Sequence, residues 1–213
     1  MMFLRRYFAS ISTKTVSKWM SAFVFGIVLG TSGWVGSVHA DERSASEIVE
    51  AFHEVLLAGM QLKDHKDRVA LFEPVVGEVF NLQRIAQISC GRAFGKLSDA
   101  EQQTFVEALH SNIAHTYAAR FHTFRGQQFT LVEERAVQRG VLVRARLQGL
   151  EQEVMLDYFF RDQKVFNVAA DGVSDLSLRR SEYSRLLRDE GFSALLEKLK
   201  SNTQKLSGEV GND

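Results

Sequence analysis

The chain has 213 residues, with 26 basic and 26 acidic side chains that cancel to zero formal charge. A balanced charge gives no support for nucleic-acid binding, which needs a basic footprint. The one cysteine, Cys90, excludes an intramolecular disulfide and any zinc site built on cysteines.

The chain opens with Arg5, Arg6, Lys14 and Lys18 and no acidic residue before Asp41. The apolar run Trp19 to Gly30 follows, then Val38-His39-Ala40 with small or apolar residues flanking a cleavage point. This is the pattern of a secretory signal peptide over residues 1–40. The run is shorter than the roughly 20 apolar residues that span a bilayer. Cleavage after Ala40 would release residues 41–213; without it, the same segment would anchor the chain to the inner membrane. Removing four of the 26 basic residues and no acidic one leaves 22 against 26, a net charge of −4. The remaining length suits a single domain, expected over 41–206, with a frayed polar tail over 207–213.

After the signal the period is helical. From a start at Ser46, Ile48, Val49, Phe52, Val55 and Leu56 share one face. Asp67 to Phe72 predicts a short helix ending before Pro74, and Asn81 to Phe94 another, closing near Gly95. Ser98-Asp99-Ala100-Glu101 is a capping box. A long helix runs from it, with Phe105, Leu109, Ile113 and Tyr117 stepping by four along one face.

The period then changes to two. Gln127–Val137, Val141–Gln148, Glu153–Phe160 and Lys164–Asp171 predict four strands. The gaps between them are too short for crossovers, so the pairing is antiparallel. Val154, Leu156, Tyr158 and Phe160 alternate with apolar Met155 and Phe159, so this strand is covered on both faces or faces a cavity. Helices return at Leu176–Arg188 and Phe192–Leu199, with Gly191 read as the stop between them. The order helices, strands, helices predicts an α+β fold, with helices packed on a curved four-stranded antiparallel meander.

Catalytic patterns are missing from the sequence. His110, His115 and His122 do not share one helical face, and no HExxH occurs, so they read as packing or solvated histidines rather than a metal site. Gly91 to Gly95 lacks the Lys-Ser/Thr of a phosphate-binding loop, and no GxSxG elbow exists. Asp157 and Tyr158 could serve an isomerase-like proton-transfer pocket if both side chains converged there. Otherwise they are an edge carboxylate and a core tyrosine. No catalytic residue, cofactor or metal is expected.

Several stretches carry a family resemblance. They are Phe80-Asn81-Leu82, Gly91 to Ser98 (GRAFGKLS), Thr116-Tyr117-Ala118, Val154 to Tyr158, and above all Val168 to Tyr183 (VAADGVSDLSLRRSEY) followed by Gly191-Phe192 and Leu195. In this order and spacing the chain resembles the toluene-tolerance/MlaC family, lipid-carrying components of ABC-type phospholipid trafficking. Phe94 stands where the family usually has Trp, and the family's Trp near Gln163 is missing; both departures imply a shifted core. ADGVSDLSLRRSEY is also similar to the branch associated with hopanoid biosynthesis. The resemblance implies a periplasmic, non-catalytic shuttle. It would carry a phospholipid or hopanoid lipid between an inner-membrane ABC transporter complex and an outer-membrane lipid complex. It also implies an apolar cavity between sheet and helices. Phe105, Leu109, Ile113 and Tyr117 would form one wall, and Val143, Met155, Phe159 and Val168 another. A non-binding envelope adaptor remains open if side chains fill that space.

Overall fold

The computed structural model describes residues 43–149 and 152–209. Residues 1–40, where an export signal is expected, and residues 210–213 lie outside the described residues. The architecture is α+β: three helices and a 3₁₀ turn, a fourth long helix, an antiparallel sheet, then two closing helices.

Helix α1 (Ala45–Gly59) starts one residue before the expected Ser46, because Ser44 and Glu47 form their own capping box. The Glu47 carboxylate accepts from the Ser44 amide at 2.7 Å, and the Ser44 hydroxyl accepts from the Glu47 amide at 3.2 Å. Helix α2 (His65–Val79) does not stop before Pro74; the proline sits inside it. An interior proline costs about 3 kcal/mol. Val76 and Val79, beyond it, are both buried. Burying two such side chains contributes about 1.5–3 kcal/mol each, which offsets that cost. Helix α3 (Leu82–Cys90) is shorter than expected, its chain passing at Gly91 into the 3₁₀ turn Gly91–Lys96. Phe94 on that turn is buried, edge-on to Phe105 at 6.4 Å.

Helix α4 (Asp99–Arg120) begins at the anticipated box, with Ser98 and Glu101 bonded both ways. It packs against α2 on one side and the last helix on the other.

The sheet has five strands in sequence order, all antiparallel: β1 Gln128–Val137, β2 Gly140–Gln148, β3 Glu153–Arg161, β4 Lys164–Ala170 and the two-residue β5 Val173–Ser174. The four-strand expectation missed β5, which is too short to show a period. Asp162 and Gln163, both at positive φ, form the tight β3–β4 turn. Helix α5 (Asp175–Asp189) follows β5 directly. Gly191, at φ 86° just past the C-cap Glu190, is the expected stop between the two helices. Helix α6 (Gly191–Glu209) follows, and Ser207 lies within it rather than in a frayed tail.

Registry fixes the two faces of the sheet. Val143 opposes Tyr158, which opposes Val168, and Leu147 opposes Val154. These residues pack against the helices. Arg144 and Asp157 sit opposite one another on the other face, joined by two hydrogen bonds of 2.6 and 2.9 Å.

Gly140 has one role in this registry. Its φ is 143°, and a β-carbon there would lie 1.9 Å from the Phe160 carbonyl oxygen. Backbone cannot yield as a side-chain tip can. Gly140→Ala is expected to cost about 3 kcal/mol, combining backbone strain with the clash. Urea denaturation measures it; a loss within error of zero would show that the hairpin shifts freely.

Candidate functional site

A cavity of about 310 Å³ lies between the helix layer and the inner face of the sheet. Ile113 and Tyr117 of α4, four residues apart on one helix face, form one wall with the C-cap residue Phe121. Leu147, Val154, Leu156, Tyr158, Val168 and Ala170 form the sheet wall. Phe80 and Ile85 close one side, and α5 with its approach supplies Val173, Leu176 and Leu178. Val173 and Leu178 are 58% and 60% exposed, which places them at the mouth. The polar lining comes from Thr116, Arg120, Asn167, Asp175 and Arg179.

Of the eight expected wall residues, Ile113, Tyr117 and Val168 line the cavity. Phe105, Leu109 and Val143 are fully buried but lie in the solid core beside it. α4 is long enough that its first half packs in the helix layer and only its second half reaches the space. Met155 and Phe159, expected in the wall, do not line the cavity. Strand parity puts them on the far face from Val154, Leu156 and Tyr158, and neither packs on the main core. The same parity separates Asp157 from Tyr158. Asp157 pairs with Arg144 outside, while Tyr158 is buried inside against His53. They share no pocket, which removes the geometric basis of an isomerase-like reading.

The aromatic floor is tightly fixed. Phe52 meets Phe80 at 5.6 Å and Tyr117 at 5.2 Å, both edge-on. His53 stacks on Phe129 at 4.0 Å and shares a 2.9 Å hydrogen bond with the Tyr158 hydroxyl. Burial pushes the His53 pKa down to about 4 and raises that of Tyr158, so both are neutral at pH 7. His53 therefore gains a proton on unfolding at any pH between about 4 and 6.5. In that window the unfolded state binds more protons, so stability rises with pH and is lost as pH falls. The shift corresponds to about 3 kcal/mol lost from pH 7 to pH 4. Comparing urea midpoints of wild type and His53→Gln across this range isolates the contribution; parallel curves would refute it.

His110, His115 and Cys90 serve packing. A ring nitrogen of His110 donates to the Glu73 carbonyl at 2.6 Å, and His115 lies 3.0 Å from His65, so both histidines tie α4 to α2. Cys90 is buried and its thiol pKa is pushed up to about 12, which makes it a poor nucleophile at neutral pH.

The family model described as MlaC protein matches residues 46–201, from the first turn of α1 into α6. This chain belongs to the MlaC family. Among solved structures, it is similar to a phospholipid-binding protein from Ralstonia solanacearum in complex with a phospholipid. The TM-score is 0.68 at 20% sequence identity, covering 78% of this chain and 99% of that one. At that identity the likeness concerns the fold. Within the MlaC fold, the polar residues of the cavity are those the sequence did not single out. Asn167 accepts from the Ser174 hydroxyl and the Leu176 amide, tying β4 to α5. Arg179 bonds to Asp175, Asn112 and Tyr183. No local period marks such residues, because their partners come from distant elements.

Proposed function

We propose that this MlaC-family protein is an exported lipid carrier. It shelters the acyl chains of a phospholipid, or the apolar body of a hopanoid-type lipid, in the cavity between α4, α5 and the sheet. The observation that carries this is the cavity itself, walled by aliphatic and aromatic side chains and open at an exposed apolar rim. The likeness to a protein that binds phospholipid on the same fold supports it.

At about 310 Å³ the space is at the low end of ligand sites, which run from about 300 to 1,000 Å³. The head group and the chain segments nearest it therefore stay at the mouth. Each methylene withdrawn from water contributes about 0.8 kcal/mol, so about 30 of them are worth roughly 24 kcal/mol gross. A bilayer offers nearly the same gain. The preference for carrier over membrane is then a small difference between large terms. Cargo moves on and off where a partner keeps water from the mouth: an inner-membrane ABC transporter complex at one end and an outer-membrane lipid complex at the other. The signal-like residues 1–40 fit a periplasmic site for this traffic, or an inner-membrane tether if they are retained. No covalent bond turns over.

The test is mass spectrometry of an organic extract of the purified protein. A stoichiometric lipid is expected, and its identity separates glycerophospholipid from triterpenoid. Protein that carries no lipid, and takes none up from vesicles, overturns the carrier reading and leaves the adaptor reading in its place.

A further inference from the structure

Three helices bring lone-pair atoms together at a place apart from the cavity. His65 opens α2, His115 lies in the second half of α4, and Ser207 lies near the end of α6. His65 Nε2 is 3.0 Å from His115 Nδ1, and the Ser207 hydroxyl oxygen is 3.0 Å from that same nitrogen. None of the three lines the cavity. Both imidazoles are half-buried and Ser207 is exposed, so solvent and its ions reach the cluster from one side. Burial lowers the pKa of both histidines. The neighbouring His115 and Arg68 lower that of His65 further, while Glu73 opposes the shift at His115. Both rings are therefore neutral at pH 7, the form in which imidazole binds a metal.

A hydrogen bond between the two rings accounts for the pairing of α2 with α4. It does not account for the third atom. Ser207 donates its one hydroxyl proton to the Thr203 carbonyl at 3.1 Å, so it turns a lone pair toward His115. If His115 Nδ1 carries a proton, that proton is divided between two acceptors, His65 and Ser207. If it carries none, the lone pairs of His115 and Ser207 face each other. A cation would take up all three lone pairs at once. Spacing indicates which cation. With metal–imidazole bonds of about 2.0–2.1 Å, two ligands at right angles lie about 2.8–3.0 Å apart, against about 3.3 Å for a tetrahedral pair. The observed 3.0 Å matches the right-angle arrangement, which belongs to tetragonal Cu(II) or Ni(II) rather than to tetrahedral zinc. We propose that His65 Nε2, His115 Nδ1 and the Ser207 hydroxyl form a surface site for a divalent copper ion, with water in the remaining positions. Copper is chosen over nickel because it binds nitrogen and oxygen ligands more tightly. The Glu73 carboxylate and the Arg68 guanidinium, whose fields reach the pair, offset each other. A bound ion would clamp α2, α4 and α6 together, and the site stands independently of the carrier reading.

Titration of the untagged protein with copper(II) chloride, followed by calorimetry and electron paramagnetic resonance, tests it. One ion per chain is expected, with hyperfine splitting from two imidazole nitrogens. His65→Gln and His115→Gln should each weaken binding at least about tenfold. Ser207→Ala, at an exposed position where folding is not at stake, should weaken it severalfold. His122→Ala removes the exposed histidine just beyond α4 and should leave the affinity unchanged. Wild-type protein that takes up no copper overturns the site, as does unchanged affinity in any of the three ligand variants. A wild-type spectrum with fewer than two imidazole nitrogens overturns it as well, and that reading holds whether or not a histidine variant folds. A loss in His122→Ala equal to that in His115→Gln would place the ion at the end of α4 instead, which also overturns the proposal.

Discussion

Val168→Trp is expected to abolish lipid recovery from the purified protein while the chain still folds. Val168 lines the cavity from β4 and opposes Tyr158 across the sheet, so an indole at this position projects into the space rather than into packed core. In a close-packed interior, such an enlargement costs about 1–3 kcal/mol. Facing a 310 Å³ void, the ring has room and the stability cost falls to the low end of that range. The cost moves to the ligand, which loses the volume that the ring takes up. Extract mass spectrometry should show at least about a tenfold fall in occupancy, since losing two buried methylenes is already worth about 1.6 kcal/mol. Phe159→Trp is the matched control. It lies one residue off the inner parity of β3, on the far face, and should leave occupancy as it was. Full lipid content in Val168→Trp, or loss in both variants, would show that cargo binds elsewhere.

That pair of substitutions also marks where sequence reasoning succeeds and where it stops. Alternation along β2 and β3 is a local property, and it separates Val143 and Tyr158 from Arg144 and Asp157 with no tertiary information. The Ser98–Glu101 box is equally local, and it sets the start of α4 to the residue. What a period cannot show is depth. Phe105, Leu109, Ile113 and Tyr117 are one stripe in sequence, yet only the last two reach the cavity, because the helix passes from packed layer to open space along its length. Met155 and Phe159 are apolar enough for the wall that the resemblance implies, yet their parity puts them on the other face. Pro74 is a local stop signal overruled by the burial of Val76 and Val79 beyond it. The family resemblance indicated a cavity; the polar end of that cavity depends on contacts between α4 and α5 that no stretch of sequence contains.

Arg68→Ala is expected to cost about 4 kcal/mol of stability, from three stranded carbonyls plus the void left by the side chain. Arg68 sits on α2 and is completely buried, with no carboxylate among the described residues hydrogen-bonded to it. Its Nε donates to the Ala118 carbonyl at 2.8 Å, in the last turn of α4, where helix carbonyls lack intrahelical partners. Its Nη1 donates to the carbonyls of Leu62 and Lys63, both at 2.8 Å, in the segment joining α1 to α2. One guanidinium thus stitches together three chain segments. Burial lowers its pKa, but not enough to remove the charge at neutral pH. Arg68→Lys should recover only part of the loss, because a single ammonium cannot reproduce a fork with donors on two sides. Urea denaturation of both variants gives the two values. A loss below about 1 kcal/mol for Arg68→Ala would mean that water reaches those carbonyls. The consequence extends to the site. Ala118 lies between Tyr117 and Arg120, which line the cavity, so loosening this turn should disturb them together. Both variants are therefore expected to lose lipid occupancy under conditions where they remain folded, Arg68→Ala more than Arg68→Lys.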